Sequence, residues 1–275
     1  VEPTTRDTLL SLERLKVELR FWKLLKKEVE IEEISIRNAT FDTRDFIDGV
    51  VVSGHLGELF LESHGVVFSP ETARINEFSV KNTDVSLTLG SIESTDTVPS
   101  EPLYWKILLD EIDFENVGFA LKMPQDSLFV RTMLPKTTLK NGVIDLKEAS
   151  YYVKSFGIDN AELAYGPKEE LFLQQIGLQL DSIYYCGKDI RANIEEFVLK
   201  ERSGLELVST EGRIVSDSVL IEIPKFTMKT TASSLDLQTK IGWDVLEMKK
   251  TGVLSAKINA EIGKGDVAKI LGGRD

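Results

Sequence analysis

The sequence predicts an all-β fold with a few short helices, built as one elongated, curled and mostly antiparallel sheet that forms an open apolar groove. Polar and apolar residues alternate along most of the 275 residues, and this alternation gives each strand one wet and one apolar face. A short phrase centred on an asparagine recurs five times. Few segments have the periodicity of a long helix.

The recurring phrase is centred on Asn38, Asn82, Asn116, Asn141 and Asn160. Each copy has an apolar residue two positions before the asparagine and another three positions after it. Residues five apart in an unbroken strand point to opposite faces. A bend or bulge at the asparagine returns both to one face, and asparagine tolerates the left-handed conformation that such a bend needs. The repeat therefore predicts a long sheet with one continuous apolar face.

The first element is a strand over residues 10–19, because apolar residues largely alternate there. Between residues 20 and 27 the spacing becomes helical and basic residues surround an apolar cluster. That cluster is Phe21, Trp22, Leu24 and Leu25. Two roles remain open for this membrane-proximal or end-plug helix. It plugs the open end of the sheet, which its short length favours, or it touches an anionic membrane surface.

Strand patterns dominate from residue 29 onward. The stretch from Gly90 to Pro102 is rich in Ser, Thr, Pro and acidic residues, and it predicts a surface loop over residues 91–102. The asparagine phrase occurs on both sides of this loop, so residues 1–275 are interpreted as one continuous β-groove region. A short helix is predicted for residues 266–271, with Asp266 as its N-cap.

The composition argues against several classes of function. The formal net charge is −12, whereas nucleic-acid binding needs a basic face. The two histidines and the single cysteine lie in no recognised nucleophile motif. The carboxylates do not have the spacing of a calcium loop. We therefore expect no catalysis, no cofactor and no bound metal.

No segment is long and apolar enough to cross a membrane as a helix, and the chain begins with Val rather than Met. We interpret it as a fragment of a longer protein whose anchor or targeting segment lies upstream.

Residues 12–27, running into residues 29–41, resemble the early periplasmic part of the AsmA-like family that includes TamB, the translocation and assembly module protein. The matching stretch begins LERLKVELRFWKLLKK. Residues 219–235 and 254–266 are similar to other recurring phrases of that family. The apolar positions that match the family pattern are Ile34, Ile36, Phe41, Ile221, Ile223, Phe226 and Leu235.

The resemblance implies a protein of a diderm bacterium, anchored in the inner membrane by one N-terminal helix. Its β-groove would cross the periplasm, conduct phospholipid towards the outer membrane and support outer-membrane biogenesis. This chain would be the N-terminal periplasmic part, lacking both the anchor helix and the region linked to an Omp85-type partner. The alternative is a non-catalytic β-rich scaffold or interaction module for outer-membrane protein assembly.

The candidate groove residues are apolar members of the alternating segments. They are Val85, Leu87, Leu89, Ile112, Phe114, Phe119, Leu121, Leu178, Leu180, Ile221 and Ile223. Phospholipid acyl chains are the expected cargo, because leaving a 16-carbon chain in water costs on the order of 12 kcal/mol, at about 0.8 kcal/mol per methylene. The alternative for each residue is that it packs in a closed core.

Overall fold

The computed structural model describes residues 9–24, 30–44, 49–68, 71–90, 104–248 and 252–272. Strands make up 76% of these residues and form a single 13-stranded sheet that does not close on itself. The predicted all-β class and the open, curled sheet are therefore confirmed.

The strands are β1 (Leu10–Leu19), β2 (Ile31–Asp42), β3 (Val50–Phe68), β4 (Glu71–Leu89), β5 (Lys106–Met123), β6 (Leu128–Asp145), β7 (Ser150–Tyr165), β8 (Leu171–Cys186), β9 (Asp189–Glu201), β10 (Glu206–Ser216), β11 (Leu220–Thr230), β12 (Ser234–Gly242) and β13 (Leu254–Glu261). The helices are α1 (Phe21–Leu24), α2 (Trp243–Leu246) and α3 (Lys264–Gly272), and a 3₁₀ turn covers Pro124–Asp126.

The strands lie in the sheet in the order in which they occur along the chain. Neighbouring strands are antiparallel throughout, except that β4 and β5 run parallel. A parallel pair requires the chain to return along the length of the sheet before the second strand begins. Strand β4 ends at Leu89 and β5 begins at Lys106, and the predicted loop over residues 91–102 lies outside the described residues.

All five repeated asparagines have the predicted left-handed backbone. Their φ angles lie between 47° and 54°, and the inter-strand pairing continues on both sides of each. An asparagine reaches this region at little cost because its short polar side chain bonds locally. The prediction that the phrase marks a bend within a strand is confirmed.

The bends form two lines across the sheet. The first bend line contains Asn38, Gly57, Asn82, Asn116, Pro135 and Asn160, which lie opposite one another on β2 to β7. The second bend line runs through Asn141 on β6 and Ser182 on β8, and Ser182 also has a positive φ of 54°. On β6 the two lines are six residues apart, which is about 20 Å.

The bends keep the apolar residues on one face. A Cβ placed on Gly142 would lie 3.2 Å from Leu139 Cδ2 and 3.3 Å from Leu109 Cβ. Leu139 and Gly142 therefore face the same side, although they are three residues apart on one strand. Ala39 and Ala161, each directly after a bend asparagine, are only 4% and 3% exposed. Such burial is expected at the inner corner of a bend.

Among the described residues nothing forms a second layer over the sheet. Strands contact their sheet neighbours, and the only other substantial contacts join α2 to β12 and the 3₁₀ turn to β6. No large side chain is fully buried, and the accessible surface is 18083 Å². A compact monomer of this mass would expose roughly 12,000 Å². The fold is a single bent layer with an uncovered apolar face.

The C-terminal helix differs from its prediction. Helix α3 begins at Lys264, so Asp266 lies in its first turn rather than at its N-cap. The Asp266 carboxylate instead accepts hydrogen bonds from the hydroxyls of Thr230, Thr231 and Ser233, which tie the helix to the turn between β11 and β12. In the described ranges no helix has the length and apolar character needed to cross a membrane.

Candidate functional site

The central feature of the apolar face is a row of side chains that crosses all thirteen strands. The first row consists of Val17, Ile34, Leu61, Phe78, Ile112, Leu139, Phe156, Leu180, Ile194, Gly212, Phe226, Leu237 and Ile258, each opposite the next on adjacent strands. None of these residues is polar. Twelve inter-strand steps of about 4.8 Å give the row a length of about 58 Å along the sheet.

The single glycine of the first row leaves no gap in it. A Cβ on Gly212 would lie 2.7 Å from Cδ2 of Phe226, so the phenylalanine ring of β11 covers the glycine of β10. The apolar surface is therefore continuous at this step, although the sequence alternation is locally interrupted.

A second row lies beside the first, two residues along each strand except β9, where a register shift places Phe197 three residues from Ile194. It consists of Leu15, Ile36, Leu59, Val80, Phe114, Thr137, Ile158, Leu178 and Phe197 on β1 to β9, and of Thr210, Met228, Leu235 and Ala260 on β10 to β13. The rings of Phe78 and Phe114 meet edge to face at 6.2 Å. From β2 to β12 both rows are half-buried or buried by their neighbours alone.

Four of the candidate groove residues lie in these rows. Ile112 and Leu180 belong to the first row, and Phe114 and Leu178 belong to the second. The sequence placed these residues on one apolar face by alternation alone. The structure adds their alignment, which depends on the register of the four strands from β5 to β8.

The candidates on β4 and β5 lie beyond the first bend line. Val85 is opposite Phe119 and Leu87 is opposite Leu121 in the parallel pair, while Leu89 is opposite Val50 on β3. The bends at Asn82 and Asn116 return these side chains to the face that carries the two rows. Phe119 is 36% exposed, so no covering layer encloses it.

The candidates on β11 reach the same face through a bulge. Ile221 is opposite Ile241, Ile223 is opposite Thr239, and the register then shifts before Phe226. Thr239 and Leu237 are two residues apart on β12 and so share a face. Ile223 therefore lies on the face of Phe226, although the two residues are three apart.

The opposite face of the sheet is charged. Lys140 bonds to Glu111 at 2.8 Å and Lys16 to Glu33 at 3.0 Å, both across adjacent strands. The hydrogen bond to Glu111 raises the pKa of Lys140. These exposed pairs contribute little to stability. They keep the outer face wet and disfavour slipped registers, which would place like charges opposite one another.

Sequence reasoning missed a cleft lined by residues of β3 to β8. It has a volume of about 390 Å³, and its lining includes His55, Asp84, Arg131 and Glu162 together with Val85 and Phe119, two of the candidate groove residues. The residues that line the cleft come from strands that are distant in sequence, so no short sequence pattern predicts it. Charges of both signs line the cleft, so it selects neither anions nor cations. In the part of the chain that the structure describes, no three His, Cys, Asp or Glu residues are grouped to hold a metal ion.

The aromatic residues of α1 do not cover the end of the sheet. Phe21 is 62% exposed and Trp22 is 73% exposed, and their rings contact each other edge to face at 5.8 Å. Leu24 is the last residue of α1, and Leu25 lies outside the described residues. This exposure is compatible with contact to a membrane surface, and both roles considered for the segment stay predictions.

Comparison of the sequence with protein-family models and with curated proteins gave no match. The resemblance to AsmA-like proteins therefore rests on the residue patterns quoted above and stays a prediction. The candidate site follows from the geometry of the apolar face alone.

Proposed function

We propose that this chain is the periplasmic segment of an inner-membrane-anchored protein that conducts phospholipid along the apolar face towards the outer membrane. The observation that carries the proposal is the first row, which is apolar on every one of the thirteen strands. An exposed apolar surface of this extent marks an interaction site.

An acyl chain suits this surface better than a folded partner does. The first row is continuous, and no polar side chain along it interrupts an aliphatic chain that lies across the strands. Moving a 16-carbon chain from water onto such a surface removes part of a penalty that is on the order of 12 kcal/mol for the whole chain, at about 0.8 kcal/mol per methylene. Because the sheet is open on one side, the polar head group remains in water while the chain is shielded.

The proposed location follows the family resemblance, with the anchor upstream of Val1 and the sheet in the periplasm of a diderm bacterium. The exposed aromatic pair Phe21 and Trp22, close to the amino end, supports a position near a membrane surface. Aromatic and basic side chains together favour the interface of an anionic membrane.

The test is residue-specific cross-linking to lipid in cells. A photoreactive phenylalanine analogue replaces either Ile112 on the apolar face or its neighbour Asp113 on the polar face. After irradiation, mass spectrometry should find phospholipid on the Ile112 variant and none on the Asp113 variant. Equal labelling of both positions, or labelling of neither, would contradict the proposal.

A second test asks whether the row conducts lipid. Leu180→Glu places a carboxylate in the first row, whereas Gln179→Glu places one on the opposite face of the same strand. Desolvating an unpaired charge costs several kcal/mol, so Leu180→Glu should lower lipid loading at least tenfold and Gln179→Glu should not. Circular dichroism should report an intact sheet in both, because no second layer packs on Leu180. Unfolding of the Leu180 variant alone would favour a closed core.

The alternative function, a β-rich scaffold for outer-membrane protein assembly, is favoured by the two sheet edges. Every residue of β1 and of β13 is exposed, and each strand pairs with one neighbour among the described residues. Exposed edges accept an added strand from a partner. A photoreactive analogue at Lys257 on β13 should then capture a protein, while the analogue at Ile112 captures no lipid.

A further inference from the structure

Two threonines interrupt the otherwise apolar second row. Thr137 on β6 is 7% exposed and Thr210 on β10 is 3% exposed. Their hydroxyl oxygens are the buried side-chain polar atoms of the described residues that have no hydrogen-bond partner. A buried hydroxyl without a partner costs free energy, because it has lost its bonds to water and gained none.

Other buried threonines on this fold satisfy their hydroxyls locally. Thr83 donates to the backbone carbonyl of Lys81 at 3.0 Å. Thr239, which is 9% exposed, donates to the carbonyl of Ser255 at 2.9 Å. The sheet thus offers carbonyl acceptors to threonines in general, and Thr137 and Thr210 differ from the others by their position in the row.

The two threonines occupy equivalent positions. Thr137 lies two residues before Leu139, and Thr210 lies two residues before Gly212, and both of these are first-row residues. Four antiparallel steps separate β6 from β10, so the two strands run in the same direction. The threonines therefore share one row and lie about 19 Å apart across four inter-strand steps of about 4.8 Å.

Threonine can present either its methyl or its hydroxyl group by rotation about χ1. A rotation at Thr137 or Thr210 turns the hydroxyl towards the open side of the sheet without moving the backbone. There it can donate to a neutral acceptor on a bound molecule. A charged acceptor is disfavoured, because the surrounding row is apolar and would strip the charge of its water.

We infer that Thr137 and Thr210 recognise the ester carbonyl groups of acyl chains, so that the apolar face takes ester-linked glycerolipids in preference to ether-linked lipids. This inference rests on the proposed function, because it assigns the cargo of the same face. Each threonine hydroxyl donates to a carbonyl oxygen that an ether lipid lacks. The two threonines are a pair of polar positions on a surface whose other residues form no hydrogen bonds with a lipid and so do not distinguish one lipid from another.

The test compares two phospholipids that differ only in this group. Diester and diether phosphatidylglycerol of equal chain length compete for the full chain, and native mass spectrometry measures the bound ratio. One net hydrogen bond predicts a preference for the diester of about three- to tenfold. The double variant Thr137→Val/Thr210→Val, which keeps the side-chain shape, should abolish this preference. Thr239→Val, at a buried threonine whose hydroxyl is already bonded, should retain it.

Stability of the lipid-free protein supplies an independent readout. Because the two hydroxyls have no hydrogen-bond partner in the part of the chain that the structure describes, Thr137→Val should leave the midpoint of urea unfolding unchanged or raise it. A lowered midpoint would mean that the hydroxyl is satisfied inside the protein, and it would overturn the inference. Equal binding of both lipids by the unaltered chain would also overturn it while leaving the proposed function intact. Binding of neither lipid would overturn the proposed function and the inference together.

Discussion

The bend at Asn116 offers the most direct perturbation of the fold. Its φ of 53° lies in the left-handed region, where a residue with a Cβ and no local hydrogen bonding is disfavoured by about 1–2 kcal/mol. The Asn116 side chain also donates to Asn82 Oδ1 at 3.3 Å, a long and exposed bond worth about 0.5 kcal/mol. Asn116→Ala should therefore cost about 1.5–2.5 kcal/mol.

Asn116→Gly separates these two contributions. Glycine enters the left-handed region freely and loses only the side-chain bond and some backbone entropy, together about 1 kcal/mol. At this site glycine should therefore be the better replacement by about 1 kcal/mol. The matched control is Asn193 on β9, whose φ is not positive. There the usual preference applies, and alanine should be better than glycine by about 0.5–1 kcal/mol.

The assay is urea unfolding followed by circular dichroism for the four single variants. The reversal of the alanine and glycine order between the two sites is the decisive result, because it cancels most errors of the absolute values. If alanine is the better replacement at both sites, the bend is imposed by the neighbouring strands and not by the backbone preference of the asparagine. Replacing every first-line asparagine by alanine should approach the whole stability of a typical domain, about 5–15 kcal/mol.

Three further predictions concern the ends and bends of the sheet. Hydrogen bonds lower the pKa of Asp266, and the bond from Ser233 has the largest effect. The attachment of α3 through Asp266 is therefore fully present above the pKa of an unfolded aspartate, about 3.9. It is lost as the pH falls through the lower pKa of Asp266 in the folded protein. Hydrogen exchange in α3 should rise in that window, and Asp266→Asn should remove the dependence. Gly57→Ala places a Cβ 2.5 Å from a backbone carbonyl oxygen and should lower the free energy of urea unfolding by about 1–3 kcal/mol. Gly90→Ala, where the nearest contact of the new Cβ is 3.5 Å, should lower it less. Equal losses of stability in the two variants would contradict the close approach at Gly57. Trp22 fluorescence should shift to the blue with anionic vesicles and not with zwitterionic ones, and persistence of the shift in Trp22→Phe would refute the assignment.

Much of this fold follows from local rules that a sequence displays. Alternation fixes which face of each strand is apolar, so Ile112 and Leu180 could be assigned to one surface without knowledge of their neighbours. The asparagine phrase fixes where strands bend, because few other residues enter the left-handed region cheaply. Both rules act within a few residues of one chain segment.

The pairing of strands depends on distant parts of the chain, and there the sequence is less informative. In a sheet with one solvated face, polar and apolar residues alternate in the same way in parallel and antiparallel strands. The parallel pair β4–β5 was therefore not predicted. On β3 and β6 the first bend line passes through Gly57 and Pro135 rather than through an asparagine, and neither of these residues has a positive φ. A spacing of three between apolar residues, as in Leu56 and Leu59, is the signal that could have marked the first of them.

The candidate site combines both levels of information. Which residues are apolar was predictable, but the equivalence of Thr137 and Thr210 required the register of five consecutive strands. A one-residue error in any pairing would have moved one threonine to the other face. The sequence can therefore identify the individual residues of such a row, but it cannot show that they are aligned across the sheet.

A sheet that must stay open cannot gain stability from a covering layer. Its apolar rows are shielded by neighbours along the sheet and, in the proposed function, by the cargo itself. A ligand that binds only the folded state stabilises it by RT ln(1 + [L]/Kd), about 2.7 kcal/mol at a hundredfold excess over Kd. Thermal unfolding of delipidated protein should therefore occur at a lower temperature and return to its original value with added phospholipid. If the unfolding temperature does not depend on lipid, the two rows bind no phospholipid in the folded state, and the apolar face does not conduct lipid.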